Sequence, residues 1–297
     1  YRFDTGPSLL TMPHLLDELI REAGRAPRDY IRYERLSTAC QYVFPDGTWL
    51  NAFADPEAFA DEAEAKLGVP RRRLLRYLEA SRRAYEVAGE LFLAHSLHDP
   101  RTYARWPTWK AALLAPTLDL LSSLHATNQR RLREPHLVQL FDRFATYNGS
   151  DPYRAPGILR MIPYLEHGLG GAYPEGGMYA VARGLHRLAE ELGVAFHFRA
   201  PVERILHADG RVQGVQAGGE AVPAKVVVSN ADIVRTYRHL LPDLTPPRAV
   251  LRQERSSSAL LFYWGMAGQF PELDLHNIFF SAAYRAEFQD LFARKRL

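Results

Sequence analysis

The 297-residue sequence predicts an α+β protein in which a sheet-rich part is interrupted by one large helical block. Three observations lead there. Turn-punctuated strand patterns occupy residues 1–55, helical periodicity dominates 56–167, and after a glycine-rich stretch the pattern returns to a helix followed by short strands in 168–297. Those numbers are the expected domain boundaries: 1–55 with 168–297 as the sheet part, and 56–167 as the insertion.

The opening segment Phe3-Asp4-Thr5-Gly6-Pro7-Ser8 reads as a strand running into a turn closed by Gly-Pro. An amphipathic helix follows over 12–23, with Leu15, Leu16, Leu19 and Ile20 at helical spacing. Pro45-Asp46-Gly47 between Tyr42-Val43-Phe44 and Thr48-Trp49-Leu50 signals a hairpin. In 56–145, apolar positions such as Leu74, Leu75, Leu78, Tyr85 and Ala88 recur every three or four residues. The loop 147–156 interrupts this run, and helix is expected again over 158–166. A further helix is expected over 178–192, stopped by Gly193. Strands are then expected at 194–198, 202–206, 212–215, 221–222, 225–229 and 257–266, with Asp209-Gly210 and Gly218-Gly219 as turns.

Bulk properties narrow the function. Hydrophobic residues make up 47% and charged residues 24%, an ordinary globular composition. Thirty-seven basic against 34 acidic residues leave a net charge of +3, a mixed surface that argues against a nucleic-acid partner. Cys40 is the only cysteine, so there is no intramolecular disulfide and no cysteine-rich metal site. No apolar run reaches the roughly 18 residues of a membrane-spanning helix, and the first residues show no signal-peptide pattern.

Several motifs are weighed and set aside. Gly168-Leu169-Gly170-Gly171-Ala172-Tyr173 is the nearest approach to a dinucleotide-binding glycine loop, but it lacks the last glycine and follows a helical pattern. His95 and His98 share a helical spacing without further ligands, so no metal is expected. No nucleophile elbow is present. Two features suit a membrane surface: the basic cluster Arg71, Arg72, Arg73 and Arg76, and the pair Trp106/Trp109 ahead of a Leu-rich run. A solvated helix face and a buried core helix are their plain alternatives.

Four segments in order resemble the FAD-dependent carotenoid desaturases of the bacterial phytoene-desaturase type. They are Phe3-Asp4-Thr5-Gly6-Pro7-Ser8, Tyr147-Asn148-Gly149-Ser150-Asp151-Pro152-Tyr153, Tyr173-Pro174-Glu175-Gly176-Gly177-Met178, and Val228-Ser229-Asn230-Ala231-Asp232. Together they extend over most of the chain, and the wording of 147–198 is most similar to desaturases of hydroxylated acyclic carotenoids. The resemblance implies an amine-oxidase-type flavoprotein fold whose N-terminal βαβ unit lies upstream of Tyr1 and whose C-terminal FAD contacts are also absent. The chain alone is therefore expected to be inactive and to hold FAD poorly. It further implies that Asp4, Gly6, Pro7, Gly176, Gly177, Val202, Asn230 and Ala231 approach FAD. Glu79 and Arg82 match an acid/Arg pair considered for acid–base work near the polyene. At i and i+3 the two can equally be a surface ion pair.

The reaction so implied is desaturation of an acyclic carotenoid: hydride passes from an allylic carbon to the flavin and a proton leaves the neighbouring carbon. The partners implied are a long apolar polyene and the cytoplasmic face of a membrane, held peripherally. The competing readings are a non-catalytic lipid- or membrane-binding module, and another flavin amine-oxidase-type enzyme acting on a retinoid or an amine.

Overall fold

The computed structural model describes residues 3–89, 95–96, 99–104, 117–255 and 258–295. The chain divides into two compact units, Tyr1–Leu188 with Ser256–Leu297, and Ala189–Arg255. The helical stretch 56–167 thus belongs to the larger unit together with two of the three sheets.

In the larger unit, β1 (Leu10–Thr11) and β2 (Tyr33–Arg35) flank the later strand β5 (Gly171–Pro174), both antiparallel to it. Between them lie α1 (Pro13–Glu22) and α2 (Pro27–Tyr30). Of the α1 stripe only Ile20 is fully buried, packing with Ile31 and Leu188, with Leu16 partly covered. Leu15 and Leu19 face solvent, because the packed face runs Leu16–Ile20–Ala23 at four- and three-residue steps.

The hairpin is β3 (Thr38–Val43) and β4 (Trp49–Phe53), closed by Gly47 at φ 88°. Its outer neighbour is β9 (Asn277–Phe279), parallel to β3. Alternation puts Cys40, Tyr42, Leu50 and Ala52 inward. Against that face pack α3 (Pro56–Leu67) and α4 (Arg71–Gly89). Asp55 caps α3 by accepting from the Glu57 and Ala58 amides, and Gly68 ends it in the left-handed conformation. The same core takes Leu132 from α5 (Leu124–Leu132) and Leu137, Leu140 and Phe141 from α6 (Pro135–Asp142). Truncating such a buried ring to Ala costs about 3–5 kcal/mol.

A buried polar chain joins α4, α5 and α6. The Tyr77 hydroxyl donates to Asn128 Oδ1 at 2.7 Å, Asn128 Nδ2 donates to Asp142 at 2.8 Å, and His125 Nδ1 lies 2.6 Å from the same carboxylate. Helix resumes after the 147–156 loop as a 3₁₀ stretch, Gly157–Met161, and then α7 (Pro163–His167). The helix α8 (Tyr179–Glu191) comes after β5.

The smaller unit is an antiparallel meander, β6 (Val202–Ala208), β7 (Arg211–Ala217) and β8 (Glu220–Pro223). Asp209 and Gly210 both sit at positive φ, 50° and 73°, as the two-residue hairpin turn demands.

Three expected strands are not strands. Residues 194–198, 225–229 and the described part of 257–266 pair with no strand among the described residues. A strand exists only through a neighbour's hydrogen bonds, and these segments present their side chains to solvent, Val228 at 88% and Leu260 at 78% exposure. The opening strand is likewise displaced: residues 3–8 are irregular, and the first ladder starts at Leu10. His98, Trp106 and Trp109 lie outside the described residues.

Candidate functional site

The glycine turn ahead of α8 is held from the far end of the chain. Asp4 accepts hydrogen bonds from the Met178 and Tyr179 amides at 2.9 and 3.2 Å and from the Tyr173 hydroxyl at 3.0 Å. Its carboxylate therefore fills the anion position that the first turn of a helix offers. Gly177, at φ 91°, passes so close that a Cβ would stand 2.9 Å from Asp4 Oδ2. Both the conformation and the contact require glycine here. Gly6 and Pro7 are exposed next along the chain, and nothing lies within 4 Å of the point where a Gly6 side chain would be. Ser8 then ties the segment down, its Oγ 2.9 Å from His276 Nδ1.

Asp4, Gly6, Pro7, Gly176 and Gly177 thus belong to one unit, with Asp4 directly joined to the Gly176-Gly177 turn. Val202, Asn230 and Ala231 belong to the smaller unit, all three exposed, at the start of β6 and just before Asp232. Asp232 caps the short helix Ile233–Arg235 and pairs with Arg255 at 2.8 Å. For the flavin implied by the resemblance, the open backbone at Gly6 and the glycine turn suit close approach of a planar ring. The end of α8 does not cradle a phosphate, since Asp4 already closes it.

Glu79 and Arg82 stand on the outside of α4. Arg82 donates to both Glu79 oxygens at 2.8 and 2.7 Å and also pairs with Glu86, while Arg83 reaches Glu79 at 2.8 Å. Hydrogen bonds from Arg82 first, and Arg83 next, hold the Glu79 carboxyl down at about 2. Such a carboxylate stays ionised at neutral pH and is a weak base.

The structure adds a cluster on which the sequence is silent. Arg143, directly after α6, reaches the buried Glu166 of α7 at 3.3 Å and donates to the Tyr42 hydroxyl at 2.7 Å. The Tyr147 hydroxyl also donates to Glu166, and the guanidinium lies 4.4 Å from the Phe144 ring centre. Burial alone would raise the Glu166 carboxyl, but Arg143 and the Tyr147 hydroxyl together hold it below its usual range. Beside Arg143 opens a cavity of about 850 Å³, lined by Tyr147, Phe279, Phe280, Tyr284, Phe288 and Phe292 among others. Its size is that of a small-molecule pocket, and aromatic rings stand in its wall beside polar groups. Neither Glu79 nor Arg82 lines it. The nearest motif is the 147–153 segment, whose Tyr147 lies four residues after Arg143; most of the remaining lining arrives from 278–292, with Thr146, Ser258 and Ala259. Among the described residues no group of three His, Cys, Asp or Glu side chains is placed to hold a metal ion.

Comparison with known proteins places the chain in a family. The chain is 47% identical to a 1-hydroxycarotenoid 3,4-desaturase of Flavobacterium sp. over 297 residues, all of this chain and 60% of the relative. It is 31% identical to a 4,4'-diapolycopene oxygenase of Methylomonas sp, again over all of this chain and 60% of the relative. A zeta-carotene-forming phytoene desaturase of Myxococcus xanthus is 31% identical over 98% of this chain and 56% of its own length. The chain thus spans a little over half of the length of these relatives. The family profile described as flavin containing amine oxidoreductase matches residues 1–259. The chain belongs to the flavin-containing amine oxidoreductases, and its cofactor is FAD.

Proposed function

We propose that the protein desaturates an acyclic carotenoid bearing a hydroxyl group, with FAD as the oxidant. The observation that carries this reading is the 47% identity, along the whole chain, to a relative named for that reaction. Bound FAD supplies the acceptor for hydride; the chain's own residues bind, orient and shield the polyene.

The cavity beside Arg143 suits one end of such a substrate. Tyr147, Phe279, Phe288 and Phe292 offer ring faces to a conjugated chain. Thr146, Asn148 and Ser281 in the same lining offer hydrogen-bonding groups to a terminal hydroxyl. Arg143 keeps its charge beside this wall because Glu166 pairs with it and the Tyr42 hydroxyl oxygen accepts a hydrogen bond from it. The open backbone at Gly6 and the Gly176-Gly177 turn, with Val202, Asn230 and Ala231 in the smaller unit, are the positions assigned to FAD. Glu79 and Arg82, on the outer face of α4 and away from this cavity, are read as a surface ion network, and their variants test the acid–base role.

We also propose that the enzyme works as a peripheral protein on the cytoplasmic face of a membrane, where so apolar a substrate dissolves. No described helix is long and apolar enough to cross one.

Product analysis tests the reaction. The full-length protein, given a 1-hydroxylated acyclic carotenoid in liposomes, should yield a product lighter by two hydrogens with a longer conjugated system. A product that gains oxygen at the same carbon count, with no new double bond, would replace the desaturase reading by an oxygenase one.

A further inference from the structure

A cleft of about 370 Å³ is lined by Arg72, Arg73, Arg76, Arg130, Arg131 and Arg133, with Pro70 and Tyr77 completing the wall. No carboxylate lines it. Its arginines come from two places, the start of α4 and the end of α5.

At the end of α5, cations are at home, since the negative pole of the helix faces them. The start of α4 is the opposite case. Arg71, Arg72 and Arg73 crowd the positive pole of a 19-residue helix whose first turn contains no acid. Arg71 is neutralised, by Glu57 at 2.7 Å and by Asp61. Among the described residues, Arg72, Arg73, Arg76 and Arg133 have no carboxylate partner. The acid nearest in the network, Asp119, pairs with Arg130 at 2.6 Å, Arg131 at 2.8 Å and Arg160 at 2.8 Å, so one negative charge serves three guanidinium groups. Arg131 Nε is buried and makes no hydrogen bond at all. At the start of α4 positive charge is thus concentrated where the helix pole disfavours it, and in the same cleft the Arg131 Nε donor lacks an acceptor.

We propose that this cleft binds the phosphoryl headgroup of an anionic lipid. Guanidinium groups match phosphoryl oxygens in paired, planar geometry. Two leucines directly after Asp119 favour a lipid source. Leu120 and Leu121 are 43% and 105% exposed, next to an acid that touches two of the cleft's arginines. A phosphoryl site beside protruding leucines is the chemistry of a membrane–water interface. This inference rests on the peripheral-membrane reading above and names the groups that would carry it.

The test uses the full-length flavoprotein and flotation with phosphatidylcholine vesicles, with and without phosphatidic acid. In Arg72→Gln/Arg76→Gln/Arg133→Gln, all three exposed side chains lose charge without losing a described partner. Its affinity for phosphatidic-acid vesicles should fall about 10²-fold, while flavin content stays the same. A control, Arg238→Gln/Arg248→Gln/Arg252→Gln, removes equal charge from exposed positions in the smaller unit and should lose far less. Equal losses in the two variants would reduce the effect to net charge and overturn the site. Unchanged vesicle binding in the cleft variant also overturns it; if inorganic phosphate then raises the melting temperature of the wild type alone, the cleft is a free-phosphate site. Should the wild type bind neither vesicle, the membrane reading itself fails.

Discussion

His167 lies beneath the Arg143–Glu166 pair with one ring nitrogen satisfied and the other not. Its Nδ1 donates to the Phe53 carbonyl at 3.1 Å, its ring stacks on Phe59 at 4.9 Å, and its buried Nε2 has no partner. Burial, the largest influence, pushes the imidazole below its ordinary value, so it stays neutral in the folded protein. In the unfolded chain it takes up a proton near pH 6.5. Between the two values the unfolded state binds the extra proton, so stability is complete above about pH 6.5 and declines as pH falls below it. Glu166 acts in the same direction but lower, below the unfolded carboxyl's roughly 4.3. In His167→Phe, which keeps the stacking and removes the titration, the melting temperature should depend less on pH between about 5 and 6.5 than in the wild type. Parallel profiles would show that His167 is not the group responsible. Asp4 shows the other use of a polar side chain at this scale: it acts on the glycine turn by capping α8, which makes it a positioning residue for whatever that turn meets.

At the scale of elements, α4 carries two features on one helix. Its buried positions, Leu74, Tyr77, Leu78, Ser81, Ala84 and Ala88, build the core, while Glu79, Arg82, Arg83 and Glu86 form a half-exposed ion network. Exposed ion pairs contribute at most about 1 kcal/mol to stability, whereas a positioned acid–base group contributes about 10²–10⁴-fold to rate. The network geometry and the strongly acidic Glu79 lead to a clear expectation. Glu79→Gln and Arg82→Ala in the full-length enzyme should each retain more than about a tenth of wild-type turnover, well short of the loss of an acid–base group. A hundredfold loss at unchanged flavin content would instead place the pair in the chemistry.

Helices and tight turns of this protein are legible in the sequence because their causes are local. Pro45-Asp46-Gly47 sets the hairpin, Asp55-Pro56 starts α3, and the 3.6-residue period marks α4 and α8. Residues 225–229 and 258–266 have the same local look of strands, yet strand formation depends on a partner, which no local pattern encodes. The Arg143–Glu166 pair and its cavity were hidden for a related reason. Glu166 is 23 residues from Arg143, and the aromatic wall arrives from 278–292, so only the fold brings them together. The positions assigned to FAD came from family resemblance rather than from spacing; of these, the fold joins Asp4 to the Gly176-Gly177 turn.

For the whole molecule, the proposed reaction is one in which a polyene surrenders hydride to FAD, and what supports it is the family membership and the identity along the chain. That reaction has an anaerobic signature requiring no external electron acceptor. With oxygen excluded, adding a 1-hydroxylated acyclic carotenoid in liposomes to the full-length, FAD-loaded protein should bleach the oxidised-flavin absorbance. In the same mixture the polyene spectrum should move to longer wavelength, one new double bond for each flavin reduced. Oxidised flavin that persists beside unchanged carotenoid, in protein that still binds the substrate, would contradict the desaturase account.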